Sequence, residues 1–273
     1  MRRFIFSIII VLTIYVTAYG QNVIAMNDTV NIGTHTELVP KSLDDYSKQL
    51  ADSAYVNGDY SEAIDIYEFL LQTGESAEIY YNLGNSYFKT DNIAKSILNY
   101  ERSLLLDPGN SDTRFNLEVA RSKTIDKIDH TPELFLEVWA NSLMNIYSVK
   151  VWAGIAIFFF ILFLVALATY LFTRKVIIKK VGFSIAVASF FLSCMGNIFA
   201  SQQKNRLENR KDAIVISPSV VVRSTPSEDG TSLFILHEGT KVRINDDSMR
   251  EWKEIKLEDD KIGWMPISAL EKI

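Results

Sequence analysis

The feature that most constrains this chain is a sequence repeat with a period near 34 residues. The clearest copy covers residues 77–110, and a weaker copy lies 33 residues upstream. Aligning the two copies pairs Gly58 with Asp91 and Tyr67 with Tyr100, and a partial third copy begins downstream. A period of this length, with two helices in each copy, predicts a stack of helical hairpins.

Apolar residues recur at helical spacing within each copy, and turn-forming residues separate the helices. The predicted helices cover residues 43–56, 60–72, 77–89, 93–106 and 111–127. Together they define a repeat domain over residues 43–127 that resembles the tetratricopeptide family. That resemblance implies a domain that binds segments of other proteins and does no chemistry.

The first helix of each hairpin is expected to present its inner face to a bound partner. By the register of the repeat, seven residues lie on this face: Lys48, Asp52, Tyr81, Asn82, Asn85, Asp112 and Asn116. Some tetratricopeptide proteins clamp a terminal carboxylate with Lys and Asn at such positions, and Lys48 and Asn82 match that pattern. Asp52 and Asp112 do not match, because a carboxylate would meet two acids. We therefore expect an internal segment or a folded protein as the ligand.

Three uncharged apolar runs relate the chain to a membrane. Residues 1–20 have a charged start, an apolar core and a small-x-small motif, which predicts a signal peptide, cleaved or retained as a signal anchor. Residues 151–172 and 181–200 are each long enough to cross a hydrocarbon core of about 30 Å. Residues 173–180 between them carry four positive charges and no acid. Positive loops stay in the cytoplasm, so we expect a cytoplasmic (inner) membrane protein with its folded domains on the periplasmic side.

The second predicted transmembrane helix carries small residues at three- and four-residue spacing, which keeps them on one face: Gly182, Ala186, Ser189, Ser193, Gly196 and Ala200. Small residues let helices approach closely in lipid. This helix-packing stripe is expected to pack on the first transmembrane helix, where Phe158, Phe159 and Phe160 would fill the groove. The alternative is a helix of another protein.

The connecting segments have weaker patterns. Residues 21–42 are polar and predicted to form a flexible leader, and residues 201–212 a linker. Residues 131–149 show apolar residues at helical spacing, with Trp139 among them. This pattern predicts an amphipathic helix that either lies in the membrane interface or caps the last repeat.

Residues 213–273 alternate short apolar runs with turn residues, which predicts six short strands in a small β-barrel. Its expected core includes Val242, Ile244, Trp252, Ile255 and Leu257. Residues that match bacterial SH3 domains are Arg223, Pro226, Gly239 and the pair Gly263-Trp264. The resemblance implies an SH3-like domain that binds a wall peptide or a protein segment, or serves as a spacer.

Nothing in the sequence indicates a catalytic, cofactor or metal site. Cys194 is the only cysteine and the three histidines are far apart, which excludes a zinc cluster or an internal disulfide. Phosphate-loop, HExxH and GxSxG motifs are absent. Residues 21–150 hold 10 Lys/Arg and 20 Asp/Glu, a net charge of −10 that argues against nucleic acid as a partner.

The predicted architecture is multidomain: α-helical tetratricopeptide repeats, a two-helix transmembrane hairpin and a small SH3-like β-barrel. This order of segments resembles the BatE-like family of aerotolerance proteins. The resemblance implies a non-enzymatic envelope scaffold that acts beside other Bat-type membrane proteins. The alternative is a module that senses or tethers the cell wall, with the SH3-like domain bound to peptidoglycan.

Overall fold

The computed structural model of the protein describes residues 41–127 and 135–273. The predicted signal peptide lies outside the described residues, as do nearly all of the predicted leader and residues 131–134 of the predicted amphipathic helix. The described chain divides into two units. Residues 147–205 form one, called the hairpin below, and the remaining described residues form the other, called the repeat–sheet unit.

Five helices form the repeat region, and each packs on the next along the chain. Their bounds are α1 (Lys41–Asn57), α2 (Tyr60–Leu71), α3 (Ala77–Lys89), α4 (Ile93–Leu106) and α5 (Ser111–Ser122). The turns between the two helices of the first and second repeats are equivalent, since Gly58 and Asp91 have φ angles of 88° and 60°. Position 58 therefore suits glycine, and the same left-handed conformation recurs one period later.

Close contact between α3 and α4 depends on a small residue facing a large one. A Cβ at Gly84 would lie 2.7 Å from two ring carbons of Tyr100, so the ring occupies that space. Ala51, the counterpart of Gly84 in the first repeat, is buried in one cluster with Tyr67. Both tyrosines are 1% exposed. The repeat motif therefore pairs a small residue on one helix with a buried tyrosine ring on the next.

Helix α5 ends at Ser122, five residues before the predicted end at residue 127. The chain beyond it turns toward the C-terminal sheet. Asp126 accepts hydrogen bonds from the backbone N–H of His237 and the hydroxyl of Thr240, each at 2.7 Å. These bonds to the sheet replace a further helical turn.

Seven antiparallel strands form one sheet in the order β3-β2-β6-β5-β4-β1-β7. Their bounds are β1 (Asp212–Val215), β2 (Ser219–Arg223), β3 (Ser232–His237), β4 (Lys241–Asp246), β5 (Trp252–Lys256), β6 (Ile262–Pro266) and β7 (Leu270–Lys272). Six of these correspond to the predicted strands, and β7 was missed. The sheet is open, so the predicted closure into a barrel is not found. Its edge strand β7 is instead held by the repeats, because Arg102 donates to Glu271 at 3.1 Å and to the carbonyl of Lys272.

The sheet has a small apolar core of its own, which contains Val242, Ile244, Ile255 and Leu257 as predicted. Trp252 is only half-buried and lies outside that core.

Strand β1 is buried on both faces. Ala213 and Val215 enter the core of the sheet, whereas Ile214 enters a second cluster with Ile97 and Leu117 of the repeats. A strand covered on both sides is expected to be apolar, as residues 213–215 of this one are. The sheet thus covers α4 and α5. The sequence pattern had indicated residues 131–149 as a possible cap for the last repeat.

Ion pairs surround this apolar contact between repeats and sheet. Glu101 on α4 is 8% exposed and pairs with Arg121 and, at 2.8 Å, with Lys241 on β4. Arg210 forms two bonds to the carboxylate of Glu75, at 2.6 and 2.5 Å. Paired charges with several hydrogen bonds are tolerated at such a boundary, and they fix its register.

Helix α6 (Phe135–Met144) is shorter than the predicted helix at 131–149. Residues 145 and 146 form a turn after it, and Ile146 lies against the repeats. A Cβ on Gly109 would clash with the carbonyl oxygen of Ile146.

The hairpin contains α7 (Val149–Phe172) and most of α8 (Val176–Glu208), both long and apolar enough to span a membrane. Only residues 173–175 interrupt the helices, so the last five residues of the predicted loop 173–180 are helical. Most of the predicted linker 201–212 also belongs to α8. No proline occurs between residues 176 and 208, so nothing in that segment ends the helix early.

Candidate functional site

The inner face of the repeats contains a groove bounded by α1, α3, α4 and α5. Its lining residues are Tyr55, Tyr81, Asn85, Phe88, Lys89, Tyr100, Asn116 and Val119. Three of the seven predicted inner-face residues, Tyr81, Asn85 and Asn116, are among them.

Two asparagines at the centre of the groove are bonded to each other. Asn85 Oδ1 accepts hydrogen bonds from Asn116 Nδ2 at 2.9 Å and from the hydroxyl of Tyr100 at 2.6 Å. Asn116 Nδ2 also lies 3.3 Å from the hydroxyl oxygen of Tyr81. These contacts use the oxygen of one amide and the nitrogen of the other.

The other half of each amide makes no hydrogen bond to any described residue. As far as residues 41–127 and 135–273 are concerned, Asn85 Nδ2 is therefore an open donor and Asn116 Oδ1 an open acceptor within one groove. A peptide group offers the complementary acceptor and donor. The arrangement is suited to a segment of extended backbone.

Burial raises the pKa of Tyr100 well above its ordinary value of 10.0. Since even the ordinary value lies well above physiological pH, the phenol is protonated there and donates to Asn85. This bond holds the amide of Asn85 with its nitrogen free for a ligand.

A second cluster beside the groove accounts for three more predicted residues, Lys48, Asp52 and Asn82. Lys48 Nζ lies 3.0 Å from Asp52 and 2.9 Å from Glu78. Asp52 also accepts hydrogen bonds from Tyr67 at 2.5 Å and from Asn82 at 3.2 Å. The hydrogen bond to Glu78 raises the pKa of Lys48, against the opposing effect of burial.

This second cluster joins α1, α2 and α3. The side chains that a carboxylate clamp would need, Lys48 and Asn82, already form contacts with acidic residues of the protein. The charge of Lys48 is already balanced by two carboxylates. The seventh predicted residue, Asp112, is exposed on the first turn of α5 and does not line the groove.

Sequence reasoning missed Tyr55, Phe88, Lys89, Tyr100 and Val119. A signal for two of them was present, because Tyr55 and Phe88 are 33 residues apart and hold the same place in successive repeats. Tyr100 belongs to an apolar cluster of the repeats and also lines the groove.

Positive charge lies at one end of the groove. Lys89 is exposed there, and Lys123 Nζ sits 4.3 Å from the centre of the Phe88 ring and 3.6 Å from Asp91. The centre is uncharged, with amides and aromatic rings. A neutral extended segment followed by an acidic side chain fits this distribution.

All six residues of the helix-packing stripe in α8 are buried. A Cβ at Gly196 would lie 3.3 Å from the Cβ of Ala156, and the hydroxyl of Ser193 donates to the carbonyl of Ala156 at 2.9 Å. The expectation that phenylalanines fill the groove is wrong for Phe158, which is 62% exposed. Phe160, in contrast, is buried at 7% exposure. Ala156 lies against Gly196, where a contact this close leaves no space for a ring.

The residues that suggested an SH3 domain have mainly structural roles. Arg223 donates to the carbonyl of Gly230 at 2.9 Å and so holds the turn between β2 and β3. Gly239 has a φ of 85°, and a Cβ there would lie 2.7 Å from Thr124 of the repeat region. Phe234 packs on the sheet core, and Trp252 and Trp264 are half-buried. Among residues 41–127 and 135–273, no three His, Cys, Asp or Glu side chains are grouped to hold a metal ion.

Comparison with known proteins supports the repeat. Residues 77–110 match the family model of the tetratricopeptide repeat. A crystal structure of the Sgt2 TPR domain from Aspergillus fumigatus is similar at 14% identity, over 64% of this chain and 85% of that chain, with a TM-score of 0.29. That score is too low to establish a shared fold over this length. No curated protein sequence matches the chain significantly.

Proposed function

We propose that this chain is a membrane-anchored, non-enzymatic scaffold whose repeats bind an extended segment of another envelope protein. The observation that carries the proposal is the open donor and acceptor of Asn85 and Asn116 in a groove lined with aromatic rings. Tetratricopeptide repeats are protein-binding modules, and the match over residues 77–110 supports this use.

The hairpin is the proposed anchor. Most of the apolar surface of α7 and α8 is exposed, as lipid-facing helices require and core helices of soluble proteins do not. Arg174 and Lys175 lie in the short break between the two helices, so this end is assigned to the cytoplasm. The repeats and the sheet are then periplasmic, and the resemblance to BatE-like proteins suggests Bat-type membrane proteins as partners.

The sheet is proposed to be an SH3-like domain that completes the repeats. Wall binding, the alternative function, has weaker support because Phe234 is committed to the sheet core and Arg223 to a turn.

The test is photo-crosslinking of the full-length protein in native membranes. A photoreactive residue replaces Phe88 in the groove or, as a control, Phe69, which is 60% exposed on α2. A specific protein adduct is expected from position 88 and not from position 69. Adding Asn116→Ala should lower the yield about fivefold, for the loss of one hydrogen bond worth about 1 kcal/mol.

Asn245→Ala on the sheet serves as the matched control for Asn116→Ala and should leave the yield unchanged. Equal adducts from positions 88 and 69, or a yield that ignores Asn116→Ala, would place binding outside the groove. Thermal unfolding of each variant checks that the repeats remain folded.

A further inference from the structure

Helix α6 has an apolar face with little protein on it. Phe135, Leu136 and Trp139 are 79%, 73% and 57% exposed. At 100° per residue they share one side of the helix with Leu143. Soluble proteins rarely leave so much contiguous apolar surface uncovered.

The opposite side of α6 is held by the protein. The guanidinium of Arg206 donates to Asn141 at 2.9 Å and to Asn145 at 3.5 Å. Met144, on the same side, is 1% exposed. The helix is therefore fixed by its polar side, and its apolar side is directed outward.

The position of Arg206 indicates what lies on the apolar face. Arg206 belongs to α8 and is six residues beyond Ala200, where the predicted transmembrane span ends, a distance of about 9 Å along the helix axis. An arginine at that distance lies at the level of the lipid headgroups if α8 spans the bilayer. A helix bonded to it lies at the same level.

We propose that α6 binds the surface of the bilayer, with Phe135, Leu136 and Trp139 inserted among the lipid chains of the periplasmic leaflet. This inference depends on the proposed membrane anchor and adds a second, monotopic contact to it. The segment from 135 to 147 contains one charged residue, Glu137, and offers Trp139 and Tyr147 as interface anchors.

The occupant is a lipid surface rather than a protein. The first transmembrane helix begins five residues after α6 ends, so the face cannot be far from the bilayer.

The experiment measures nitroxide accessibility in the full-length protein, reconstituted in nanodiscs of phosphatidylcholine and phosphatidylglycerol in equal parts. With Cys194→Ser as background, a spin label is placed by Trp139→Cys, Phe158→Cys or Phe115→Cys. These positions are similarly exposed, at 57%, 62% and 65%, on α6, on α7 and on repeat helix α5. Collisions with oxygen report lipid, and collisions with a nickel chelate report water.

The expected result is a high ratio of oxygen to nickel collisions at 139, equivalent to a depth of about 5–10 Å. Position 158 should lie deeper, and position 115 should report water. A label at 139 that behaves like the one at 115 overturns the proposal, and so does a label shielded from both reagents, because protein would then cover the face. If position 158 also reports water, the membrane anchor itself has failed.

Discussion

The repeats and the hairpin both bring helices close together through glycine, but the glycine meets a different partner in each. In the repeats, Gly84 faces the ring of Tyr100, which is nearly fully buried. In the hairpin, Gly196 faces Ala156 and a backbone carbonyl. Burial of a large ring stabilises a helix pair in water. Lipid offers no such gain, and helices there depend on close backbone contact.

The contact between repeats and sheet is also stabilised by the burial of large apolar side chains. Removing one of these side chains should have the largest effect on stability. Ile214→Ala removes a fully buried side chain between β1 and α4 and should lower the free energy of unfolding by about 2–5 kcal/mol. Hydrogen exchange on the full chain in detergent micelles measures the loss. Protection should fall in α4 and α5 as well as in the strands.

Ile235→Ala is the control, because Ile235 is 53% exposed on β3 and its loss should change little. Faster exchange confined to the strands in Ile214→Ala would show that the sheet does not stabilise the repeats.

The contact between Gly84 and Tyr100 is the next target. A Cβ at 2.7 Å from a ring that is held on all sides forces a shift, so Gly84→Ala should cost about 1–3 kcal/mol. Gly154→Ala on α7 is the matched control, since no atom lies within 4 Å of its Cβ. Urea unfolding of the repeats in micelles distinguishes them, and equal midpoints for the two variants would contradict the packing described here.

The same substitution in the hairpin sharpens the comparison. Gly196→Ala places its Cβ at 3.3 Å from Ala156, a distance that small shifts can relieve, so the loss should not exceed about 1 kcal/mol. Titration with SDS, followed by circular dichroism, measures hairpin stability. A loss larger than that of Gly84→Ala would reverse the proposed difference between the two regions.

The smallest expected effect is a dependence on pH. The hydrogen bond from Arg210 holds the pKa of Glu75 below its ordinary 4.5, against the effect of burial. Because the folded pKa is the lower one, the stabilisation is complete above pH 4.5 and is lost as the pH falls through the folded pKa. The pair is partly exposed, so its contribution should be about 0.2–1 kcal/mol.

Urea midpoints at neutral pH and below pH 4 test this dependence. Glu75→Gln should lower the midpoint at neutral pH and reduce the further loss in acid, while Glu118→Gln, at an exposed site on α5, should do neither. If Glu75→Gln loses as much stability in acid as the unchanged protein does, the ion pair between Arg210 and Glu75 is not the cause of the pH dependence.

Most helices of this protein follow from local patterns. The repeat period placed α3 and α4 at their observed bounds, and the uncharged runs located α7 and α8. The groove was found in part, because Tyr81, Asn85 and Asn116 hold repeat positions whose direction is set by helical geometry. The end of α5, the short break at 173–175 and strand β7 were not found, because contacts with distant residues decide them.

Three features could therefore be predicted from the sequence: the repeated pairs of helices, the two apolar helices and the β domain with its alternating apolar residues. Each depends on residues within one or two turns or strands of each other. The joining of repeats and sheet was not accessible, because it pairs Asp126 with His237 and Arg102 with Glu271 across more than a hundred residues. Complementary shape and charge between such distant surfaces exist only once both have folded, and local sequence patterns carry no record of them.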